Sequence, residues 1–180
     1  MSDLVNRAKE FATISHRFQV RKCRNEPYIN HPERVAARVA LLPAVSEEQI
    51  AAAWLHDVVE DTACPLSRIL KMFGPTVTTM VEGLTDKFTH QDYPEFNRKE
   101  RKKHEHNRMA GLPAEILNIK LADIVDNLRD TPPSDAFHKV FVREVSELLA
   151  ALLVTGKFNE LDQHLLAEIA DTQRCNGENE

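Results

Sequence analysis

Apolar residues recur at spacings of three and four along most of this chain, which is the periodicity of amphipathic helices. In the first such segment Leu4, Ala8 and Phe11 follow the pattern, and Ser2 stands where a helix N-cap is expected. Only 5 of the 180 residues are glycine, whereas an all-β chain needs many tight turns. We therefore predict an all-α fold, a compact bundle of about eight helices with no convincing strand.

Proline and serine residues mark where most of the later helices should begin, because both suit the first positions of a helix. The predicted starts after the first helix are Pro32, Ser46, Pro65, Pro75, residue 97, Pro113, residue 135 and residue 158. Residues 19–30 and 85–96 are expected to be loops, and residues 172–180 a frayed tail. No repeat or linker interrupts the pattern, so residues 1–180 are expected to form one domain.

Charge and cysteine content narrow the class of protein. The net charge of -5 disfavours a general nucleic-acid binder, which needs a surplus of lysine and arginine. The three cysteines, Cys23, Cys64 and Cys175, are far apart and odd in number, which indicates free thiols. No segment has a signal-peptide pattern or the roughly 20 apolar residues that span a bilayer. We expect a cytoplasmic protein without membrane or nucleic-acid partners, and the oligomeric state stays open.

The third predicted helix, from Ser46 toward Val59, combines burial with charge at its end. Residues 51–55 are all apolar, which is typical of a helix buried on every side. His56, Asp57, Glu60 and Asp61 follow within six positions, with His56 and Glu60, like Asp57 and Asp61, four residues apart. Each unpaired buried carboxylate costs roughly several kcal/mol. A bound divalent cation would offset that cost.

Two other helices offer ligands of the same kinds. His31 directly precedes Pro32, and Asp123 lies with Lys120 and Asn127 on the polar side of the helix that begins after Pro113. Imidazole and carboxylate ligands together suit manganese, iron, cobalt or zinc. Such a cation acidifies a bound water, and nearby carboxylates can orient that water or take its proton. The proposed ligands are His31, His56, Asp57 and Asp123, with Glu60 and Asp61 as the catalytic acids.

The order of these residues resembles the H…HD…D signature of the HD phosphohydrolase superfamily. The surrounding sequence is more specific, because residues 28–32 (YINHP), 55–62 (LHDVVEDT) and 120–123 (KLAD) each extend the match. Together with residues 127–129 (NLR), they resemble the hydrolase domain of RelA/SpoT enzymes and the stand-alone small alarmone hydrolases. The resemblance covers about residues 5–155, nearly the whole chain.

The resemblance implies a manganese-dependent enzyme that removes pyrophosphate from the 3′ position of ppGpp or pppGpp. It implies the same four metal ligands and the same acidic pair. It also implies contacts with the nucleotide from basic and amide side chains, namely Arg21, Lys22, Arg98, Arg101 and Asn127. For Arg98 and Arg101 the alternative is a solvated helical face. The chain length leads us to expect the hydrolase-only form, without a synthetase or regulatory domain.

Two departures from the family concern the contacts to base and ribose. Asp126 stands where the family often has histidine or tyrosine, and residues 135–141 lack the tyrosine that is common there. Two alternatives therefore stay open. One is an HD phosphatase with another substrate, such as a nucleotidase or an NADPH phosphatase, and the other is an HD domain that binds a nucleotide without hydrolysing it. Cyclic-dinucleotide hydrolysis is disfavoured, because no GYP motif follows the HD pair.

Overall fold

A computed structural model describes residues 2–22 and 24–177, with side chains described up to Arg174. Helices account for nearly all regular structure within these ranges, and the all-α prediction is confirmed. The α-helices are α1 (Asp3–Ser15), α2 (Asn30–Val39), α3 (Glu47–Leu55), α4 (Val58–Asp61), α5 (Leu66–Leu84), α6 (Arg98–Met109), α7 (Ala114–Asp130), α8 (Ala136–Val154) and α9 (Gln163–Gly177). A short 3-10 helix, Lys157–Glu160, precedes α9.

Contacts between Cα atoms divide the chain into two compact units. The first unit ends at Thr85 and contains α1 to α5, and the second begins at Asp86 and contains α6 to α9. In the first unit α3 is the central element, since α1, α2 and α5 all pack against it. In the second unit α7 packs against α8 and α9, and α6 packs against α8.

Helix α3 owes its central place to its composition. All five residues from Ala51 to Leu55 are buried, as the apolar run predicts. The helix begins at a capping box, in which the Ser46 hydroxyl accepts from the backbone N–H of Gln49 and the Gln49 side chain accepts from the N–H of Ser46. Helix α3 therefore has a well-defined start and a buried body, and His56 follows its last residue, Leu55.

The backbone turns at His56 and Asp57, where the sequence pattern predicted an unbroken helix as far as Val59. Helix α3 ends at Leu55, and α4 begins at Val58. The amide of Asp61 still donates to the carbonyl of Asp57 at 2.8 Å, so one helical turn survives between these two residues. The prediction was wrong because apolar periodicity continues through Val58 and Val59 and gives no sign of the turn.

Helix α5 contains the break that its sequence predicts. Gly74 has φ 81° and ψ 175°, in the left-handed half of backbone space, where a side chain would be strained. Pro75 follows and restarts the helix, since its ring fixes φ and it needs no amide hydrogen bond at a first position. The two helical segments on either side of Gly74 match the two helices expected from the sequence.

The second unit differs from expectation at its last helix. Helix α9 continues to Gly177, whereas the sequence analysis expected it to fray from Thr172. The Thr172 hydroxyl donates to the carbonyl of Glu168 at 2.8 Å, and Arg174 forms an ion pair with Asp171. These contacts lie along the part of the expected tail that is helical, and residues 178–180 of that tail lie outside the described residues.

Two further sequence expectations concern cysteines and membranes. Cys64 is a free, half-buried thiol, as expected, whereas Cys23 and the side chain of Cys175 lie outside the described residues. Among the helices that the structure describes, none is both long enough and apolar enough to cross a bilayer.

Candidate metal centre and catalytic site

Three of the four predicted metal ligands lie in the first unit, and their ligand atoms face one another. The Nε2 atoms of His31 and His56 lie 3.2 Å apart. The Oδ2 atom of Asp57 lies 3.5 Å from Nε2 of His31 and 3.2 Å from Nε2 of His56. Both histidines are almost completely buried, at 1% and 4% exposure. The start of α2 and the turn after α3 thus bring two imidazoles and a carboxylate together.

The tautomer of His56 follows from its second ring nitrogen. Nδ1 of His56 lies 2.8 Å from the carbonyl oxygen of Ala53, one turn earlier in α3. A carbonyl only accepts, so Nδ1 carries the proton and Nε2 presents its lone pair to His31 and Asp57. A ring nitrogen held in this way is the usual arrangement for a metal-binding histidine.

These three residues fit a single first-row cation. Ligand atoms about 2.0–2.2 Å from one ion lie about 3.0–3.5 Å from each other, which is the spacing seen here. The donor set is also suitable, because two neutral nitrogens and one anionic oxygen match borderline cations. The sequence-based prediction that His31, His56 and Asp57 act on a common point is therefore consistent with their geometry in the first unit.

Asp57 stays ionised in this environment. Burial raises the pKa of its carboxyl group, but the charges and hydrogen bonds of the His56 and His31 rings, when these are protonated, lower that pKa by more. The net result is a pKa well below the usual aspartate range. Asp57 is therefore anionic near neutral pH, as its predicted role as a metal ligand requires.

Tyr28 joins Asp57 to Asp61. Its hydroxyl lies 2.7 Å from Oδ2 of Asp57 and 2.6 Å from Oδ2 of Asp61. Burial and the two carboxylates raise the pKa of Tyr28 far above its usual value, so it keeps its proton. The sequence analysis did not select Tyr28 as a site residue. The available signal was its position, an aromatic residue with a polar tip three places before His31.

His16 and Gln19 both contact Tyr28, and the sequence analysis did not select either of them as a site residue. The rings of His16 and Tyr28 are stacked, with centroids 4.8 Å apart. Nδ1 of His16 lies 2.6 Å from Oε1 of Gln19, whose amide nitrogen donates to the backbone carbonyl of Asp61 at 2.7 Å. His16 is 1% exposed, although no pattern in the sequence distinguishes it from a surface histidine.

The predicted catalytic acids and the basic pair lie around this cluster in the first unit. Glu60 and Asp61 are exposed in α4, directly after the ligand Asp57. The guanidinium of Arg21 lies over the Tyr28 ring, 5.6 Å from its centroid, and Lys22 is exposed next to it. Arg21 therefore contacts the ring whose hydroxyl lies between Asp57 and Asp61.

The loop that carries Arg21 is held at its base. Val20 and Pro27 form an isolated antiparallel bridge, and the amide of Arg21 donates to the carbonyl of Glu26 at 2.9 Å. The Glu26 carboxylate accepts from Asn30 at 3.0 Å and from Arg34 at 2.7 Å. Hydrogen bonds from Asn30 and Arg34 lower the pKa of Glu26, and burial opposes them.

Asp123 belongs to the second unit, where it is 4% exposed on α7. Lys120 donates to its Oδ2 atom at 2.8 Å, and Asn127 donates to its Oδ1 atom at 2.5 Å. These residues border a small cavity of about 70 Å³. Its other polar lining residues are Lys102, Glu105, His106 and Glu144. Of the three polar positions of α7 that the sequence placed on one side, Lys120 and Asn127 therefore both contact Asp123.

Arg98 and Arg101, also in the second unit, hold protein partners. Arg98 donates through two nitrogens to the buried carboxylate of Glu144, at 2.7 and 2.9 Å, and lies over the Phe137 ring. Arg101 donates to the carbonyl of Phe96. Asp126, the residue that departs from the family pattern, is buried in α7.

Comparisons with known proteins agree with these observations. Residues 8–154 match the family model described as HD domain. A Drosophila melanogaster protein, guanosine-3′,5′-bis(diphosphate) 3′-pyrophosphohydrolase MESH1, is 37% identical over 67% of this chain and 65% of its own length. The mouse protein of the same name is 37% identical over 74% of each chain. An Aquifex aeolicus guanosine-3′,5′-bis(diphosphate) 3′-pyrophosphohydrolase is 35% identical over 69% of this chain and 17% of its own length.

A solved structure extends the comparison to nearly the full chain. It has a TM-score of 0.80 and 27% sequence identity, over 98% of this chain and 97% of the other. The work that reports it describes a metazoan orthologue of SpoT that hydrolyses ppGpp. The chain spans 65% of the Drosophila relative and 17% of the Aquifex relative, so the matched region is only part of each.

Proposed function

Because the chain belongs to the HD-domain family, as its motifs predicted, we propose that it hydrolyses the 3′-pyrophosphate of ppGpp and pppGpp. The observation that carries this proposal is the convergence of His31, His56 and Asp57, with separations of 3.2 to 3.5 Å between their ligand atoms. The names of the relatives supply the substrate class. We propose that the enzyme acts on free nucleotide in the cytoplasm.

The proposed cofactor is Mn²⁺, held by His31, His56, Asp57 and Asp123. Two imidazoles and two carboxylates leave ligand positions for water and a phosphate oxygen. Asp123 is supported by its match to the family motif. Its buried carboxylate accepts one hydrogen bond from Lys120 and one from Asn127, which leaves further lone pairs for a cation. Other first-row divalent cations fit the same ligands.

A bound cation would acidify a water molecule and draw electron density from the scissile phosphate. Glu60 and Asp61 supply the proton chemistry in this proposal. Both are exposed to solvent directly after the ligand Asp57, where a carboxylate can orient water and accept its proton. The water adds across the 3′ phosphoester bond, so its oxygen goes to phosphorus and a proton goes to the 3′ oxygen. The products are pyrophosphate and GDP or GTP.

The proposed contacts to the nucleotide are those that the resemblance to the family implies. In the first unit Arg21 and Lys22 are candidates, because Arg21 lies beside the Tyr28 ring. In the second unit the candidates are Asn127, which contacts Asp123, and the α6 residues Arg98 and Arg101. For Arg98 to bind phosphate it must exchange the Glu144 carboxylate for the substrate, which is chemically feasible because a guanidinium fork binds either anion.

A turnover assay with purified protein tests the function. With Mn²⁺ and ppGpp, we expect pyrophosphate and GDP in equal amounts, and no release after treatment with a chelator. The panel includes pppGpp, NADPH and simple nucleotides, since a different HD phosphatase would prefer one of these. Asp57→Asn, which keeps the shape of the ligand without its charge, should be inactive. Absence of ppGpp hydrolysis at high enzyme concentration would exclude the proposal.

A further inference from the structure

One hydroxyl group touches two functional carboxylates in the first unit. The Tyr28 oxygen lies 2.7 Å from Oδ2 of Asp57 and 2.6 Å from Oδ2 of Asp61. The Asp57 atom that it contacts is the same Oδ2 that faces the imidazoles of His31 and His56. Tyr28 is therefore next to the atom that the proposed cation would share, and next to one of the proposed catalytic acids.

Contacts with His16 and Gln19 hold the ring of Tyr28 in place. His16 stacks on it with an interplanar angle of 26°, and His16 is itself 1% exposed. Gln19 connects the two ends of the array, because its side chain contacts His16 Nδ1 and also donates to the carbonyl of Asp61. The amide of Tyr28 donates to the carbonyl of Gln19 at 2.9 Å. Backbone and side chains thus hold the hydroxyl in one place.

This arrangement places a proton donor between two carboxylates that repel each other. Asp57 and Asp61 are four residues apart, so two carboxylates face the same hydroxyl and repel each other across it. A phenol has one proton, which it can donate to only one of them at a time. Donation to Asp57 occupies one lone pair of Oδ2 and leaves the other for a cation. Mutation of a residue that hydrogen-bonds to a metal ligand commonly lowers metal affinity or activity about 10- to 100-fold.

We propose that Tyr28 is a positioning residue that orients Asp57 toward the metal and sets the place of Asp61, with His16 and Gln19 fixing Tyr28. The inference rests on the proposed function for the role of Asp61, but its metal-binding part stands on the geometry alone. Tyr28 touches neither nucleotide nor water in this proposal, and it acts through the two carboxylates.

The test is Tyr28→Phe, which removes the hydroxyl and keeps the ring stacked on His16. The chain offers a matched control, because Tyr93 is its only other tyrosine and lies in the loop before α6. Titration calorimetry of the purified full chain with Mn²⁺ alone should show a Kd raised about 10- to 100-fold in Tyr28→Phe. Tyr93→Phe should match the wild type within about twofold. At saturating Mn²⁺, kcat of Tyr28→Phe should fall about tenfold or more, with KM changed far less.

A double-mutant cycle separates positioning from general destabilisation. If Tyr28 acts through Asp61, Tyr28→Phe should lower kcat far less in an Asp61→Asn background than in the wild type. Equal effects in both backgrounds would overturn the role assigned to Tyr28 in placing Asp61, and an unchanged Mn²⁺ Kd in Tyr28→Phe would overturn its role in orienting Asp57. Should Tyr28→Phe not fold, Gln19→Met tests the same array and should lower kcat, and an unaltered kcat would count against it.

The outcome is distinguishable from failure of the proposed function. A wild-type protein that binds Mn²⁺ but hydrolyses no ppGpp would reject the function, while a weaker Kd in Tyr28→Phe would still support the positioning of Asp57. A wild-type protein that hydrolyses ppGpp, with an unaffected Tyr28→Phe variant, would support the function and reject the inference.

Discussion

His31 and His56 bring their Nε2 atoms to within 3.2 Å of each other, inside the first unit and almost out of contact with solvent. Nδ1 of His56 donates a hydrogen bond to the Ala53 carbonyl, so the neutral ring presents its lone pair at Nε2. A cation at this point would take lone pairs from both rings and a negative charge from Asp57. The geometry therefore ties the stability of this corner of the protein to metal binding.

Mn²⁺ should raise the melting temperature of the wild-type protein, because a ligand that binds only the folded state stabilises it. At 100 times Kd the gain is about 2.7 kcal/mol, which corresponds to a shift of about 5–10 °C in a chain of this size. His56→Gln should abolish the shift, whereas His90→Gln, at an exposed loop position, should retain it. Differential scanning calorimetry measures both, and an equal shift in the two variants would contradict the assignment of His56.

Asp123→Asn tests whether the second unit contributes a ligand. We expect it to lose Mn²⁺ to the same degree as Asp57→Asn, because each removes one anionic oxygen from the proposed set. Metal content after dialysis, measured by atomic emission, gives the comparison. The control is Asp92→Asn in an exposed loop, which should keep full metal content. Full occupancy in Asp123→Asn would restrict the metal ligands to the first unit.

Glu60→Gln should separate metal binding from turnover. The variant keeps every proposed ligand, so its Mn²⁺ content should equal that of the wild type. Its kcat should fall about 10²- to 10⁴-fold, the usual contribution of a general base. Glu47→Gln makes the same change at an exposed position in the first turn of α3 and should leave kcat unaltered. A fully active Glu60→Gln would remove Glu60 from the proposed mechanism.

The loop that carries Arg21 should respond to acid through Glu26. Its pKa is lowered in the folded protein by hydrogen bonds from Asn30 and Arg34, so folding favours the ionised form. The stabilisation is complete above the ordinary value of 4.5 and is lost as pH falls through the lowered folded-state pKa. Glu26→Gln should cost about 1 kcal/mol at pH 7. Urea unfolding from pH 7 to pH 3 should show this difference shrinking, and a constant difference would contradict the explanation.

The sequence predicted most of the fold because its signals are local. Ser2 caps α1, Ser46 caps α3, and the Gly74–Pro75 pair breaks α5, each through chemistry that a few neighbouring residues decide. The turn at His56 and Asp57 could not be read in the same way. It interrupts an apolar pattern that continues on both sides, so periodicity carries no trace of it.

The residues of the candidate site also differ in whether local sequence patterns predict them. His31, His56 and Asp57 stood out as polar residues in apolar surroundings, and in the first unit they lie together. His16 and Gln19 flank a loop, where no periodicity marks a residue as buried, and their role depends on contact with Asp61, 42 residues beyond Gln19. Arg98 likewise meets Glu144 across 46 residues, a pairing that no local pattern indicates.

The bond from His56 to the carbonyl of Ala53 also has an evolutionary consequence. In many proteins the partner of such an imidazole is a side chain, which a single codon change can remove. Here the acceptor belongs to the main chain, so every amino acid at position 53 supplies it as long as the helix persists. Substitutions at position 53 therefore leave the tautomer of His56 unchanged. Only a change that unwinds the end of the helix could alter it.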